Sequence, residues 1–479
     1  MASELKNKFL YQIITSATQV LLPLITYPYI TRILGPDSLG KVNYVDFLSQ
    51  VFTILAAFGI PFYALREIAA ARNDAAKRAL LIKEMALLQT IFSITATIGF
   101  ALFTFKNWPA NPTLYLLAAI NIIVSSFSFD WYIQGMEGFK FAAVRTIAVR
   151  LMTMVALFLL VKTSSDYTLY FSLFTTAIVL ISIVNSYKLL KENHFTKQPL
   201  NLRQHIKPLW HFFLTSSAIS IYVYFDTIIL QHITHNEQAV GYYTTVLKMV
   251  KIFLVAIIAI GTVLIPRLSY LASTGNTEEI KKHLNKMLQF IIVAGLPVCA
   301  GLFILAPEII ALIAGEKFLP AVPLMRILAF LPLVIGLSNL FCFQTLVPFK
   351  QEKKFLLAAG AGCIVSVTLN FLLIPHFAEA GAAYACMATE LIITIITGIQ
   401  ANKLIRFNTR PVLMLQTLFT TLLFIPVVLL CKSLVTSPLF ILLTAIPVCM
   451  LFYFVIQYHI FNNIVTREIK EYVTSLVKF

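Results

Sequence analysis

Charge is scarce in this sequence: only 12% of its 479 residues are Asp, Glu, Lys or Arg, against 59% hydrophobic. A globular surface needs about twice that charge, so a water-soluble fold is excluded. Long polar stretches are missing as well. The longest, roughly 191–208, is too short to fold alone and leaves no place for a soluble catalytic domain. Glycine is sparse, with 17 in all, and none belongs to a G-x-x-x-x-G-K-[ST] phosphate loop; H-E-x-x-H and G-x-S-x-G are also absent. ATP hydrolysis and motif-based hydrolytic chemistry are therefore not expected, and the chain does not read as an enzyme. Cys299, Cys342, Cys363, Cys386, Cys431 and Cys449 all fall in apolar runs without C-x-x-C spacing, and read as small buried hydrophobes. No cofactor is called for, although a proton or Na⁺ could serve as a coupling ion.

What fills the chain instead is apolar sequence of membrane-span length. Runs near 9–31, 42–65, 80–105, 113–134, 141–161, 167–188, 209–233, 241–266, 287–314, 321–348, 355–374, 380–402, 411–431 and 438–461 are separated by short polar breaks. This is the pattern of an all-α integral membrane protein with about fourteen transmembrane helices. The 37 basic residues test the count. With the N-terminus inside, the outer breaks hold only Arg32, Lys41, Lys106, Lys162, Lys317 and Lys432, and most of the remainder lies in cytoplasmic breaks. Positive charge on the inside supports the count and puts both termini in the cytoplasm. The net charge of +16 is thus topology. Dispersed over many loops, it is no nucleic-acid footprint. Trp108, Trp131 and Trp210 sit at expected span ends, where an amphipathic ring suits the headgroup level.

Leu39-Gly40-Lys41-Val42-Asn43-Tyr44-Val45 lies over Val240-Gly241-Tyr242-Tyr243-Thr244-Thr245-Val246 at an offset of 201 residues, and Arg66 lies over Arg267. The offset covers an even number of helices, so the halves would be parallel repeats of six. The expected organisation is an N-terminal six-helix bundle over 1–190, a cytoplasmic linker over 191–208, a second six-helix bundle over 209–404, and two further helices with a tail over 405–479. Two such bundles around a central cavity form the architecture of an alternating-access transporter.

Ionisable residues inside spans mark where that cavity would be wet: Asp46, Asp130, Arg150, Asp226, Lys248, Lys251, Arg326 and Glu390. Each costs about 2.5–3.5 kcal/mol at a central, lipid-facing position. Arg326 lies close enough to an outer end to snorkel. Lys248 and Lys251 share one face, roughly 10–17 Å into their helix at 1.5 Å per residue. Arg150 and Glu390 reach similar depth. A midplane cluster of positive charge fits anion recognition, with an ion-pair network to Asp46, Asp226 and Glu390 as the structural alternative.

Five strings resemble a known family. They are Tyr27-Pro-Tyr-Ile-Thr-Arg-Ile-Leu-Gly-Pro-Asp-Ser-Leu-Gly-Lys-Val-Asn-Tyr44, Asp130-Trp-Tyr-Ile-Gln-Gly-Met-Glu-Gly-Phe-Lys140, and Tyr224-Phe-Asp-Thr-Ile-Ile-Leu230 followed by Val240-Gly-Tyr-Tyr243 and Ile265-Pro-Arg-Leu268. They are similar to the Wzx-type polysaccharide flippases of the multidrug/oligosaccharidyl-lipid/polysaccharide (MOP) exporter superfamily. The resemblance covers the first twelve spans. It implies a MATE-like fold that carries an undecaprenyl-diphosphate-linked oligosaccharide, such as an O-antigen repeat unit, from the cytoplasmic to the periplasmic leaflet of the bacterial inner membrane. On this reading Lys248, Lys251 and Arg150, with Arg66, Tyr27 and Tyr243, line the diphosphate and sugar cavity. Asp46 and Asp226 form a gate or coupling pair, with Glu390 and Asp130 as further gating or coupling candidates. Membrane lipids are expected partners, and a polysaccharide polymerase and chain-length regulator are candidate ones.

Three other readings compete. A lipid II flippase would share the diphosphate. A multidrug cation antiporter would want a cavity acid, and the first span, Phe9 to Thr31, has none. A membrane glycosyltransferase or ligase would need larger outer loops than Ile33–Lys41 or Thr234–Val240.

Overall fold

In hydrocarbon a backbone amide has no water to turn to, and this chain satisfies its amides within helices. The computed structural model describes residues 2–105, 111–193, 199–408 and 410–461, and no strand occurs among them. Lys106, Trp108 and the tail beyond 461 lie outside the described residues. The chain divides into two compact units, Met1–Gly241 and Tyr242–Phe479.

In the first unit α1 (Ala2–Ala57) is broken at Gly35 (φ 72°, ψ 176°), just before Pro36. Its two arms carry the expected spans 9–31 and most of 42–65. Gly59 then turns left-handed (φ 77°) to start α2 (Ile60–Ala70), with Pro61 in the first turn. No side chain fits there, because a Cβ on Gly59 would lie 2.7 Å from the Phe213 backbone N. Asp74 caps α3 (Ala75–Thr104) by accepting from the Lys77 N–H at 2.9 Å. There follow α4 (Pro112–Ser126), the short α5 (Asp130–Gly135), α6 (Phe139–Leu160), α7 (Tyr167–Glu192) and α8 (Arg203–Thr234). The central element is α1, which packs on α3, α4, α6 and α8.

From the end of this unit α9 (Glu237–Ser273) leads into the second. There Asn276 caps α10 (Thr277–Ile304), and α11 (Ala306–Ile313), α12 (Val322–Leu328) and α13 (Leu331–Asn339) follow. A stretch of π-helix at Leu340–Leu346 ends that run. α14 (Glu352–Leu404) is interrupted at Ala378 (φ 48°, ψ −126°), so its arms carry the expected spans 355–374 and 380–402. Last come α15 (Pro411–Leu422), α16 (Phe424–Leu434) and α17 (Pro438–Val455).

Each expected span therefore lies mostly on helix, with breaks such as 58–59 and 127–129 inside two of them, and the protein is an all-α integral membrane protein. By length and composition, eight helices among the described residues can cross a membrane, or ten if two bent pairs each count as one span. The expected count of about fourteen is not reached by that measure, since several runs are merged or broken. Solvent-facing positions are as apolar as a bilayer requires: Leu102 is 74% exposed, Ile364 71% and Leu434 76%. Hydroxyls within helices turn back onto their own carbonyls, as Thr104 does to Phe100 O at 2.8 Å and Thr397 to Ile393 O at 2.7 Å. Of the cysteines, Cys299, Cys342 and Cys449 are buried and the other three half-buried, and all are free thiols.

One detail of the first unit mirrors the sequence repeat. A Cβ on Gly40 would lie 1.7 Å from the Glu237 carbonyl O, and a Cβ on Gly241 would lie 1.9 Å from that of Pro36. Shifting Pro36 and Gly40 by 201 gives Glu237 and Gly241. The two contacts are thus the same contact made twice, each repeat's glycine against the other's backbone, in the manner of an isologous pairing.

Candidate functional site

The cations come first. Arg150 is the twelfth residue of α6, about 16 Å from its start at 1.5 Å per residue. Its side chain is half-buried, and its Nη1 is a buried donor without a hydrogen-bond partner among the described residues. A guanidinium nitrogen shut away from water needs an acceptor, so this atom is poised for one. In the second unit Lys248 and Lys251 are both half-buried on α9, about 16 and 21 Å from its start. Tyr243, one turn earlier, is fully buried. Lys248 and Tyr243 are both engaged in polar or ring contacts, as is Tyr27 on α1. Arg66 stands apart. It is exposed near the end of α2, paired with Glu67 at 2.9 Å, with its guanidinium over the Tyr63 and Phe212 rings at 5.6 and 5.5 Å.

The acids are distributed differently. Asp46, half-buried on α1, lies within electrostatic reach of Tyr170 on α7 and Tyr224 on α8, and Tyr27 is also within reach of Tyr170. The neighbouring Phe47 meets the Tyr224 ring at 5.4 Å. Asp226 follows two residues later on α8 and is 4% exposed. Glu390, half-buried on α14, lies within electrostatic reach of Cys342. All three acids have partners.

Asp130 belongs to a separate construction. Its Oδ1 accepts from Arg145 Nη1 at 2.9 Å and from Asn185 Nδ2 at 3.1 Å. Arg145 also donates to Asn185 Oδ1 at 2.5 Å and to Thr146 Oγ1 at 3.0 Å. The rest of the Asp130-Trp-Tyr-Ile-Gln-Gly-Met-Glu string holds helix ends together. Tyr132 donates to Glu192 at 2.9 Å and accepts from Asn193 at 2.8 Å; Asn193 in turn accepts from Arg78 at 2.9 Å. Glu137 pairs with Arg72 at 2.8 Å. Gly135 is glycine because a Cβ there would lie 2.9 Å from Ile68 Cγ2. Trp131 departs from the expectation of an interfacial ring: it is 4% exposed and packed in the α2–α3–α5 core.

Residues 5–272 match the family described as polysaccharide biosynthesis protein. The chain belongs to that family. It is 23% identical to a proposed O-antigen transporter of Shigella dysenteriae, covering 82% of this chain and 98% of that protein. It is 25% identical to a proposed O-antigen transporter of Escherichia coli (strain K12), covering 84% of this chain and 98% of that protein. Among solved structures, the lipid II flippase MurJ in an inward closed conformation superposes with a TM-score of 0.73 at 14% identity, over 95% of this chain and 100% of that one. An inward-facing multidrug resistance MATE family transporter of the MOP superfamily does so at 0.63 and 12%, over 82% and 98%. These two likenesses establish the MATE-like fold. The motif resemblance and the family assignment agree.

Several residues of this polysaccharide biosynthesis protein that shape the site were not singled out from sequence. Arg145 and Asn185 read as ordinary loop and span residues, yet they hold Asp130. Tyr170 and Tyr224 lie within electrostatic reach of Asp46, and only the Tyr224-Phe-Asp226 string hinted at one of them. The second unit also holds an apolar cavity of about 860 Å³, lined by Phe253, Pro297, Leu302, Ile309, Val428 and Met450 among others. Its lining offers almost no polar atom, so it suits hydrocarbon and not sugar or phosphate.

Proposed function

We propose that this protein is a flippase that carries polysaccharide repeat units, linked through a diphosphate to a polyprenyl lipid, from the cytoplasmic to the periplasmic leaflet of a bacterial inner membrane. The observation that carries the reading is positive charge kept inside membrane helices at Arg150, Lys248 and Lys251, with the Nη1 of Arg150 buried and without a hydrogen-bond partner among the described residues. Family membership and the O-antigen transporter relatives supply the substrate class. Arg150, Lys248 and Lys251 attract the diphosphate. Lys248 and Lys251 act as point charges, since an ammonium lacks the planar fork of a guanidinium. Tyr27 belongs to the sugar-binding surface, Tyr243, fully buried as the chain stands, does not reach it, and Arg66 supplies cationic character at the entry side. Asp46 and Asp226 serve as gate or coupling residues, with Glu390 supporting that role, whereas Asp130 is engaged with Arg145 and Asn185 and holds helix ends together.

The protein works as a carrier and not as an enzyme, with both termini in the cytoplasm. The membrane potential alone supplies a useful bias: two negative phosphate charges moving outward are driven by an inside-negative potential, which contributes about 4–5 kcal/mol per 100 mV. The polymerase and chain-length regulator that use the exported unit are natural partners. Rescue of a surface-polysaccharide flippase mutant, with no rescue of a peptidoglycan-flippase depletion strain, is the expected result. The reverse pattern would assign the chain to lipid II instead.

A further inference from the structure

Beside Arg66, whose guanidinium stands over the Tyr63 ring at 5.6 Å, lies a buried relay of three titratable side chains. Glu84 of α3 and His205 of α8 meet at 2.8 Å, Oε2 to Nε2, with side chains 1% and 3% exposed. The other ring nitrogen, Nδ1, meets the Tyr63 hydroxyl of α2 at 2.8 Å. The second carboxylate oxygen accepts the Asn201 backbone N–H at 2.7 Å, and Gln204 Nε2 approaches His205 Nε2 at 3.2 Å. Three helices and the segment leading into α8 therefore converge on one imidazole. Gly59, immediately before α2, also fits against α8 without room for a side chain, so this end of α8 is held closely.

The hydrogen-bond pattern is complete with the ring either charged or neutral. Charged, Nε2–H donates to Glu84 and Nδ1–H donates to Tyr63. Neutral, Nε2–H still donates to Glu84, and the Tyr63 hydroxyl turns to donate to Nδ1. What changes is net charge. With the proton on, imidazolium and carboxylate cancel; with it off, the ring no longer balances the buried carboxylate. Among the described residues, the ion pair recorded for Glu84 is the one with His205. On α2, Arg66 is exposed and committed to Glu67, and both lie within electrostatic reach of the Tyr63 hydroxyl. On α3, Lys83 adjoins Glu84 in sequence and is half-buried; on α8, Arg203 and Lys207 flank His205 and are exposed. On α5, Asp130 is engaged with Arg145.

We propose that Tyr63, His205 and Glu84 form a proton-binding site whose occupancy fastens the start of α8 to α2 and α3 and whose emptying loosens it. One proton from bulk water adds to Nδ1 and leaves by the same route, and no other group changes charge. The inference rests on the flippase reading only for its use in a transport cycle, where this site would make export sensitive to cytoplasmic pH.

The test is hydrogen–deuterium exchange on the purified full chain in detergent, with rates corrected for the intrinsic effect of pH. Protection of the amides near 203–212 should fall about tenfold or more between about pH 5 and pH 9, in a transition of one proton. His205→Gln, which keeps an amide donor but cannot titrate, should flatten the profile, and Glu84→Gln, which removes the carboxylate that balances the imidazolium, should move the transition to lower pH. Should neither variant fold, ring-carbon NMR of histidine-labelled wild type must show one imidazole titrating at the same midpoint. A flat wild-type profile, an unchanged profile in either variant, or no matching histidine overturns the proposal. Loss of lipid-linked repeat-unit export in cells is scored separately, so failure of the transporter reading is distinguishable from failure of the proton site.

Discussion

Replacing Gly241 by alanine tests how tightly the repeated turns are clasped. The new Cβ would sit 1.9 Å from the Pro36 carbonyl O and 2.7 Å from its carbon. A carbon–oxygen contact settles at about 3.3 Å or more, so the two backbones must part by about 1.4 Å. No rotamer change can provide that, because both partners are main chain. Overpacking of this kind costs about 1–3 kcal/mol, and a rigid backbone contact belongs at the upper end. Gly40→Ala forces the reciprocal contact, at 1.7 Å from Glu237 O, and should cost a similar amount. The double variant carries the distinctive prediction. If the two contacts are halves of one crossing, separating the first relieves the second, so the double variant should lose about as much as one single variant. Thermal unfolding in detergent reads this as a Tm drop of about 2–4 °C per kcal/mol. Unchanged Tm values in the single variants, or strict additivity in the double one, would refute the reciprocal crossing.

Two other comparisons follow from the packing. Asp130→Asn leaves the Arg145 side chain, 8% exposed, without its carboxylate, and should cost about 1–3 kcal/mol, less than a fully buried pair because Asp130 is 43% exposed. Asp37→Asn removes only the surface pair with Lys41 and should cost less than about 1 kcal/mol; equal Tm losses would contradict the structural role given to Arg145. Gly59→Ala and Gly275→Ala both place alanine at positive φ, 77° and 73°, but only Gly59 has a neighbour in the way. Both should lose about 1–2 kcal/mol from backbone strain, with a further packing loss at Gly59 alone.

The helices were legible because apolar runs of span length have few other uses, and the basic residues repeat the message independently. The repeat was legible too, down to Gly40 and Gly241, although nothing in the alignment indicated that the two glycines press on each other's partner. The relay on His205 left no trace. Glu84 lies at the edge of an apolar run, His205 in a polar linker 121 residues away, and Tyr63 near a break, so no spacing joins them. Asp130 was recognisable as an anomalous charge, but its answering cation, fifteen residues on, looked like one more basic loop residue. Trp131 misled for a related reason. A tryptophan at a span end reads as interfacial unless one knows that α5 turns it into the core.

The central claim is that cations within the membrane helices hold the diphosphate of a lipid-linked glycan. Its most direct test is the amount of lipid-linked repeat unit retained inside cells carrying Lys248→Ala with Lys251→Ala, compared with Arg326→Ala. Each lost charge-assisted contact is worth about 1.5–3 kcal/mol, so export should fall about tenfold or more and the lipid-linked unit should accumulate. Arg326, exposed and stacked over Phe303 at 5.8 Å, should export at the wild-type rate. Normal export in the double lysine variant at normal protein level, or equal accumulation in Arg326→Ala, would contradict the claim.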